Sequence, residues 1–222
     1  MRIAIVTGGS KGIGASVMDL FAQNYIIPYD FSRSNGIDIT DESVVNSEVE
    51  DIFNKHGKID ILVNNAGVAT TTDILDMSLD EWNNTLNVNL NGMFICTKAV
   101  LKYMKPQKHG KIVNVSSIAG TNKSKVASVA YTTSKHGVVG FTKQLAYYYA
   151  KHNINVNCVA PSQTLTEMLT SNLSNEEIES LADQVPNKRL LNPMEVAKSV
   201  LFLCKEESSY INGETINING GQ

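Results

Sequence analysis

The chain is poor in what would mark it as stapled or metal-bound: its three cysteines, Cys96, Cys158 and Cys204, stand far apart and form no Cys-x-x-Cys pair. Neither a disulfide framework nor a zinc site is suggested, and free thiols in a reducing compartment are expected. Long apolar runs are missing as well, none reaching the roughly 18 residues of a membrane span. An apolar strand pattern starts at Arg2 with no leader-like segment ahead of it, so a cytoplasmic location and no membrane partner are expected. An excess of one charge is also absent, with 19 Lys+Arg against 22 Asp+Glu and a formal net charge of −3. That balance gives no general attraction to nucleic acid. Low-complexity tracts and solenoid-length repeats are lacking, and 42% hydrophobic with 18% charged residues reads as one globular domain over residues 1–222.

What the chain does contain is an alternation of short β-branched runs with longer amphipathic segments. Strands are expected at residues 2–6, 25–30, 60–64, 111–115, 154–159 and 215–218, and helices at 13–23, 41–55, 79–105, 132–151 and 194–205. Such alternation predicts an α/β fold with a parallel sheet covered by helices on both faces. Helix starts are marked by Thr40 ahead of Asp41 and Glu42, by a capping-box pattern from Ser78 to Glu81, and by Pro193 at a first helical position. Residues 162–192 form the one long irregular excursion, with an acidic helical stretch inside it. Excursions of that kind serve as substrate lids or as solvated surface, and a lid is the expectation.

Two stretches point to chemistry. The first, "TGGSKGIG" at 7–14, lies between a strand and a helix. Glycines there permit a tight turn and close approach of backbone to a pyrophosphate, met by N–H groups at the helix start. The second is Tyr131 four residues before Lys135, neighbours on one helix face, where an ammonium favours the ionised phenol. Tyr147 and Lys151 share that spacing, so spacing alone cannot choose. Context does, because a strand ending in Ser116 and Ser117 lies just upstream of Tyr131. Consecutive strand residues face opposite ways, so only one of the two serines is expected to reach a site.

In order and rough spacing, "TGGSKGIG", "NNAG" at 64–67, Asn89 in "NVNLNG", "VNVSS" at 113–117 and "YTTSK" at 131–135 resemble the classical short-chain dehydrogenase/reductase family. The likeness runs on through "NCVAPSQTLT" and "INGETINING" and covers nearly the whole chain. It implies a single-domain Rossmann fold of about seven strands, a nicotinamide cofactor, and interconversion of a secondary alcohol with a ketone or aldehyde, a sugar or polyol among the candidates. Tyr131 is then the acid/base, Lys135 its helper and a ribose contact, Ser117 the holder of the substrate oxygen, and Asn89 the holder of a water linked to the lysine. The implied cofactor-binding set is Gly8, Ser10, Lys11, Gly12, Ile13, Gly14, Ser32, Arg33, Asp38, Ile39, Asn65, Ala66, Gly67 and Thr166, with Tyr131 and Lys135. A homotetramer joined through the helices at 79–105 and 132–151 is implied as well.

The chain departs from the family pattern in places. Ser117 precedes Tyr131 by one residue more than is usual, Ser162 stands where the family places glycine, and only seven residues separate Asp30 from Asp38. That last gap leaves at most a stub of the third strand. Arg33 beside Ser32, together with Lys11, favours NADP(H); Asp30 keeps NAD(H) open by accepting from ribose hydroxyls. A non-catalytic dinucleotide-sensing protein on the same fold is the alternative that the departures suggest.

Overall fold

A computed structural model describes residues 1–124, 126–171 and 173–222. Six strands, β1 (Arg2–Thr7), β2 (Ile26–Phe31), β3 (Ile61–Asn64), β4 (Gly110–Val115), β5 (Ile154–Pro161) and β6 (Thr215–Ile218), form one sheet in the order β2-β1-β3-β4-β5-β6. Every pairing is parallel. Alternation along the strands sorts their side chains between two cores, with Ile3, Ile5, Leu62 and Ile112 on one face and Ala4, Val6, Ile61, Val63 and Val113 on the other. Helices α2 (Glu42–His56), α4 (Met93–Gln107) and α5 (Val129–Tyr149) supply Val45, Val49, Cys96, Val100, Met104 and Ala146 to the first core. The second core is completed by α1 (Gly12–Gln23) and α8 (Pro193–Leu203) through Val17, Phe21, Val196 and Val200. All three cysteines are buried and free.

The expected count of about seven strands is corrected to six among the described residues. Between β2 and α2 the chain makes a 3₁₀ turn at Arg33–Asn35 and a left-handed Gly36, φ 77°, and then buries Ile37 and Ile39 in the first core. No described strand pairs beyond β2, which is the sheet edge. Pro28 inside β2 suits that position, since a central strand would lose a ladder hydrogen bond there. Local signals also shifted. Asp41, not Thr40, caps α2, accepting from Ser43 and Val44 N–H, and Ser78 caps α3 (Leu79–Leu86) without the reciprocal bond from Glu81.

The long helix expected over 79–105 is interrupted. Between α3 and α4 residues Asn87–Gly92 form a π-helical turn, an irregularity that concentrates at functional positions. Beyond β5, residues 163–165 bond to Leu191 through Leu165 N to Leu191 O, 2.8 Å, and Leu191 N to Gln163 O, 3.0 Å. That clasp closes the base of the 162–192 excursion, which carries α6 (Glu167–Thr170) and α7 (Asn175–Asp183). Asn172 in the excursion and Lys125 in the loop ahead of α5 lie outside the described residues.

Candidate active site

After β1 the chain crosses by α1 to β2 on one side of β1, and then returns by α2 to β3 on the other. Ligands of open parallel sheets bind beyond the carboxyl ends of the strands at such a reversal. The glycine loop lies at that point. Gly8 and Gly12 adopt φ of 65° and 53°, and a Cβ on Gly14 would lie 2.0 Å from the Gly8 carbonyl oxygen. Helix α1 starts with no side-chain cap and no acidic residue in its first turn, whereas α2, α3, α5, α7 and α8 each have a side-chain cap. Uncapped N–H groups beside a cradle cut to backbone width fit the pyrophosphate of a dinucleotide.

The second loop is bolted to the first. Thr7 Oγ1 accepts from the Asn65 and Ala66 N–H groups, both at 2.9 Å, while Asn65 Nδ2 donates to the Thr7 and Gly8 carbonyls. Thr7 was not singled out from sequence, although its place at the strand end before Gly8 is the available signal. Gly67 completes this loop. A Cβ there would lie 3.1 Å from Asn89 Oδ1 and 3.6 Å from Lys135 Nζ, so the dinucleotide side and the proton-transfer side meet at one glycine.

At the end of β4 the two serines meet different partners on α5. Ser116 is buried, and its hydroxyl donates to the Lys135 carbonyl at 2.8 Å; Ser117 accepts from Ala119 N–H and stands beside Tyr131. Lys135 is 5% exposed. Its Nζ donates to the Val115 carbonyl at 2.9 Å and lies 5.6 Å from the centre of the Tyr131 ring. Burial pulls the lysine down to about 8. In the chain by itself burial raises Tyr131 above its ordinary value, and the Ser117 hydroxyl pulls the other way. Lowering of the phenol was expected; desolvation instead raises it, with the Ser117 hydroxyl opposing the rise. The matched control behaves differently, since Tyr147 is 80% exposed.

Asn89 sits in the π-helical turn, buried, while Asn83, Asn84, Asn87 and Asn91 are exposed. Its Oδ1 accepts from Val68 N–H at 2.8 Å, and its Nδ2 donates to the Val68 carbonyl at 3.0 Å and to Ser134 Oγ at 2.9 Å. Both amide hydrogens are therefore committed to protein. The Asn89 side chain ties the loop after Gly67 to the helix carrying Lys135. Ser128 is a further residue that sequence reading missed. It caps α5 by accepting from Tyr131 N–H, and it bonds Thr70 through both hydroxyl and backbone. Serine three positions before that tyrosine was the signal.

On the adenine side the expected contacts are occupied within the chain. Ser32 is buried and its hydroxyl donates to Asp30 Oδ2 at 2.8 Å. Asp30 Oδ1 accepts from Gly9 N–H at 2.7 Å, and Asn35 Nδ2 donates to Oδ2. Arg33 Nε meets Asp38 at 3.1 Å, and Asp38 also accepts from the Thr40 N–H and hydroxyl. The Ile39 side chain packs in the core, where a Cβ on Gly92 would meet its Cδ1 at 2.6 Å. Ser10 and Lys11 are exposed, and Ile13 packs against the second core. Thr166 faces the glycine loop, its Cγ2 3.0 Å from where a Gly12 Cβ would lie, and Lys11 Nζ pairs with Glu167 Oε2 at 2.8 Å. Glu167 is the member of this group that sequence reading missed.

Comparison with known proteins places these elements in a lineage. The family model for enoyl-(acyl carrier protein) reductase matches residues 30–222. The 3-oxoacyl-[acyl-carrier-protein] reductase FabG of Aquifex aeolicus is 38% identical over 241 residues, spanning 99% of this chain and 96% of that protein. The solved aldohexose dehydrogenase of Thermoplasma acidophilum superposes with a TM-score of 0.93 at 32% identity, covering 99% of this chain and 93% of that one. The structure of ElxO with NADP bound gives 0.90 at 31% identity, covering 99% and 97%. No described helix is long and apolar enough to cross a membrane. The chain belongs to the short-chain dehydrogenase/reductase family of oxidoreductases.

Proposed function

We propose that the protein is an NADP(H)-linked reductase of ketones, with a 3-oxoacyl thioester as its substrate class. The observation that carries this reading is the meeting of Ser117, Tyr131 and buried Lys135 with the glycine loop and its Asn65–Gly67 buttress. A nicotinamide dinucleotide, when bound, supplies the hydride. The α1 N-terminus and the glycine loop hold its pyrophosphate, with Lys11 and Arg33 on the side of the phosphorylated ribose. Negative charge then builds on the carbonyl oxygen of the substrate. Ser117 holds that oxygen by its hydroxyl, and Tyr131 delivers the phenolic proton to it. Lys135, charged and desolvated, stabilises the phenolate that remains.

Support for NADP(H) comes from the two cations and from ElxO, which is solved with NADP bound. The acyl reading draws on the identity to the Aquifex reductase. A sugar substrate is the second reading, favoured by the fold likeness to the aldohexose dehydrogenase. Residues 162–192 act as the lid of this site, and α4 with α5 joins the copies of a homotetramer. NADPH oxidation assayed with 3-oxoacyl thioesters and small ketones, and NADP+ reduction assayed with aldohexoses, test the proposal. Turnover of the thioester is expected. Turnover of the hexose alone would install the sugar reading, and tight dinucleotide binding without any turnover would favour a sensor.

A further inference from the structure

Lys11 and Glu167 stand 156 positions apart in the sequence, and their ion pair joins the glycine loop to the first turn of the 162–192 segment. Thr166, the residue before Glu167, rests against Gly12. Two adjacent residues of the segment thus touch two adjacent residues of the loop. The other cation on this side is held differently. Arg33 pairs with Asp38 five positions away, and Asp38 is fixed by Thr40, so that pair is local to one turn. Only the Lys11 pair, of these two, reaches across the cleft.

We infer that Glu167 is a specificity-determining residue: its carboxylate occupies Lys11 in place of the 2′-phosphate of NADP(H), and the phosphate must displace it to reach the ammonium. NAD(H) carries no such phosphate and leaves the pair intact. Both side chains of the pair are about 70% exposed, at 73% and 71%, so water screens it and a phosphate dianion can replace it. Glu167 therefore weakens NADP(H) without touching NAD(H), and displacement removes the ion pair between segment and loop while the Thr166–Gly12 contact stays. The inference rests on the proposed placement of the phosphorylated ribose beside Lys11.

Its test is a double-mutant cycle on the full-length protein, with dissociation constants for NADPH and NADH measured by fluorescence titration in wild type, Glu167→Gln, Lys11→Gln and the double variant. Glu167→Gln is expected to tighten NADPH by roughly two- to fivefold, the size of one exposed pair, and to leave NADH unchanged. In the Lys11→Gln background the same substitution should have no effect. An equal gain in that background would mean simple charge repulsion and would overturn the inference, as would equal gains for NADPH and NADH. If the wild type binds NADPH and Glu167→Gln changes nothing, the inference falls and the reductase reading stands. If no dinucleotide binds the wild type, both fall.

Discussion

At neutral pH the raised Tyr131 keeps its proton and Lys135, at about 8, keeps its charge, the state that the proposed donation to a carbonyl requires. Ketone reduction should accordingly hold its rate through neutral pH and decline above about 8, where the lysine loses its charge, while alcohol oxidation gains as the phenolate forms. Initial rates in both directions across a pH series check this, and a reduction rate that climbs through the alkaline range would contradict it. The same shift has a stability sign. A lysine lowered from 10.5 to about 8 is more protonated unfolded than folded between those values, so its burial penalty is full below about 8 and eases as pH rises toward 10.5. The roles proposed for Tyr131 and Ser117 were open to a reader of the sequence because linked motifs surround them. That of Asn89 was less so: an asparagine among asparagines shows its task only when burial separates it from its exposed neighbours.

At the scale of elements, α5 is the support of the site, and its start matters because Tyr131 lies in its first turn. Ser128 satisfies the Tyr131 N–H and is anchored to Thr70, so Ser128→Ala removes both a cap and a link to the loop beyond Gly67. A loss of about 1 kcal/mol is expected in urea unfolding. The turnover number should fall with NADPH affinity little changed, because the glycine loop is separate from this cap. Unchanged turnover at reduced stability would show that the cap supports the fold alone. Strand and helix positions were readable to within a few residues, since period-two and helical patterns are strong in a sheet buried on both faces. The π-helical turn was not readable, because its sequence "NVNLNG" continues the helical pattern and the extra residue is fixed by what Asn89 reaches.

In the whole molecule the sheet ends at β2, and the segment after it bears the Arg33–Asp38 pair and buries Ile37 and Ile39 in the first core. Brevity between Asp30 and Asp38 made the shortened flank visible in advance; that the flank would be internally paired depended on distances no sequence pattern carries. On the face covered by the first core, α4 and α5 present a groove of about 310 Å³ lined by Phe94, Leu101, Phe141, Leu145 and three lysines. Phe94, Tyr147 and Tyr148 are exposed on these same helices. If copies of the chain pack there, sedimentation at micromolar concentration should show a tetramer, and charge placed by Phe94→Glu should dissociate it; a monomeric wild type would contradict the assembly. The reductase account itself turns on one phenol. Single-turnover oxidation of bound NADPH by a 3-oxoacyl thioester, compared between wild type and Tyr131→Phe, tests it most directly. A loss of about a hundredfold or more in the variant, with NADPH still bound, is predicted; wild-type rates in Tyr131→Phe would show that the proton comes from elsewhere and contradict the account.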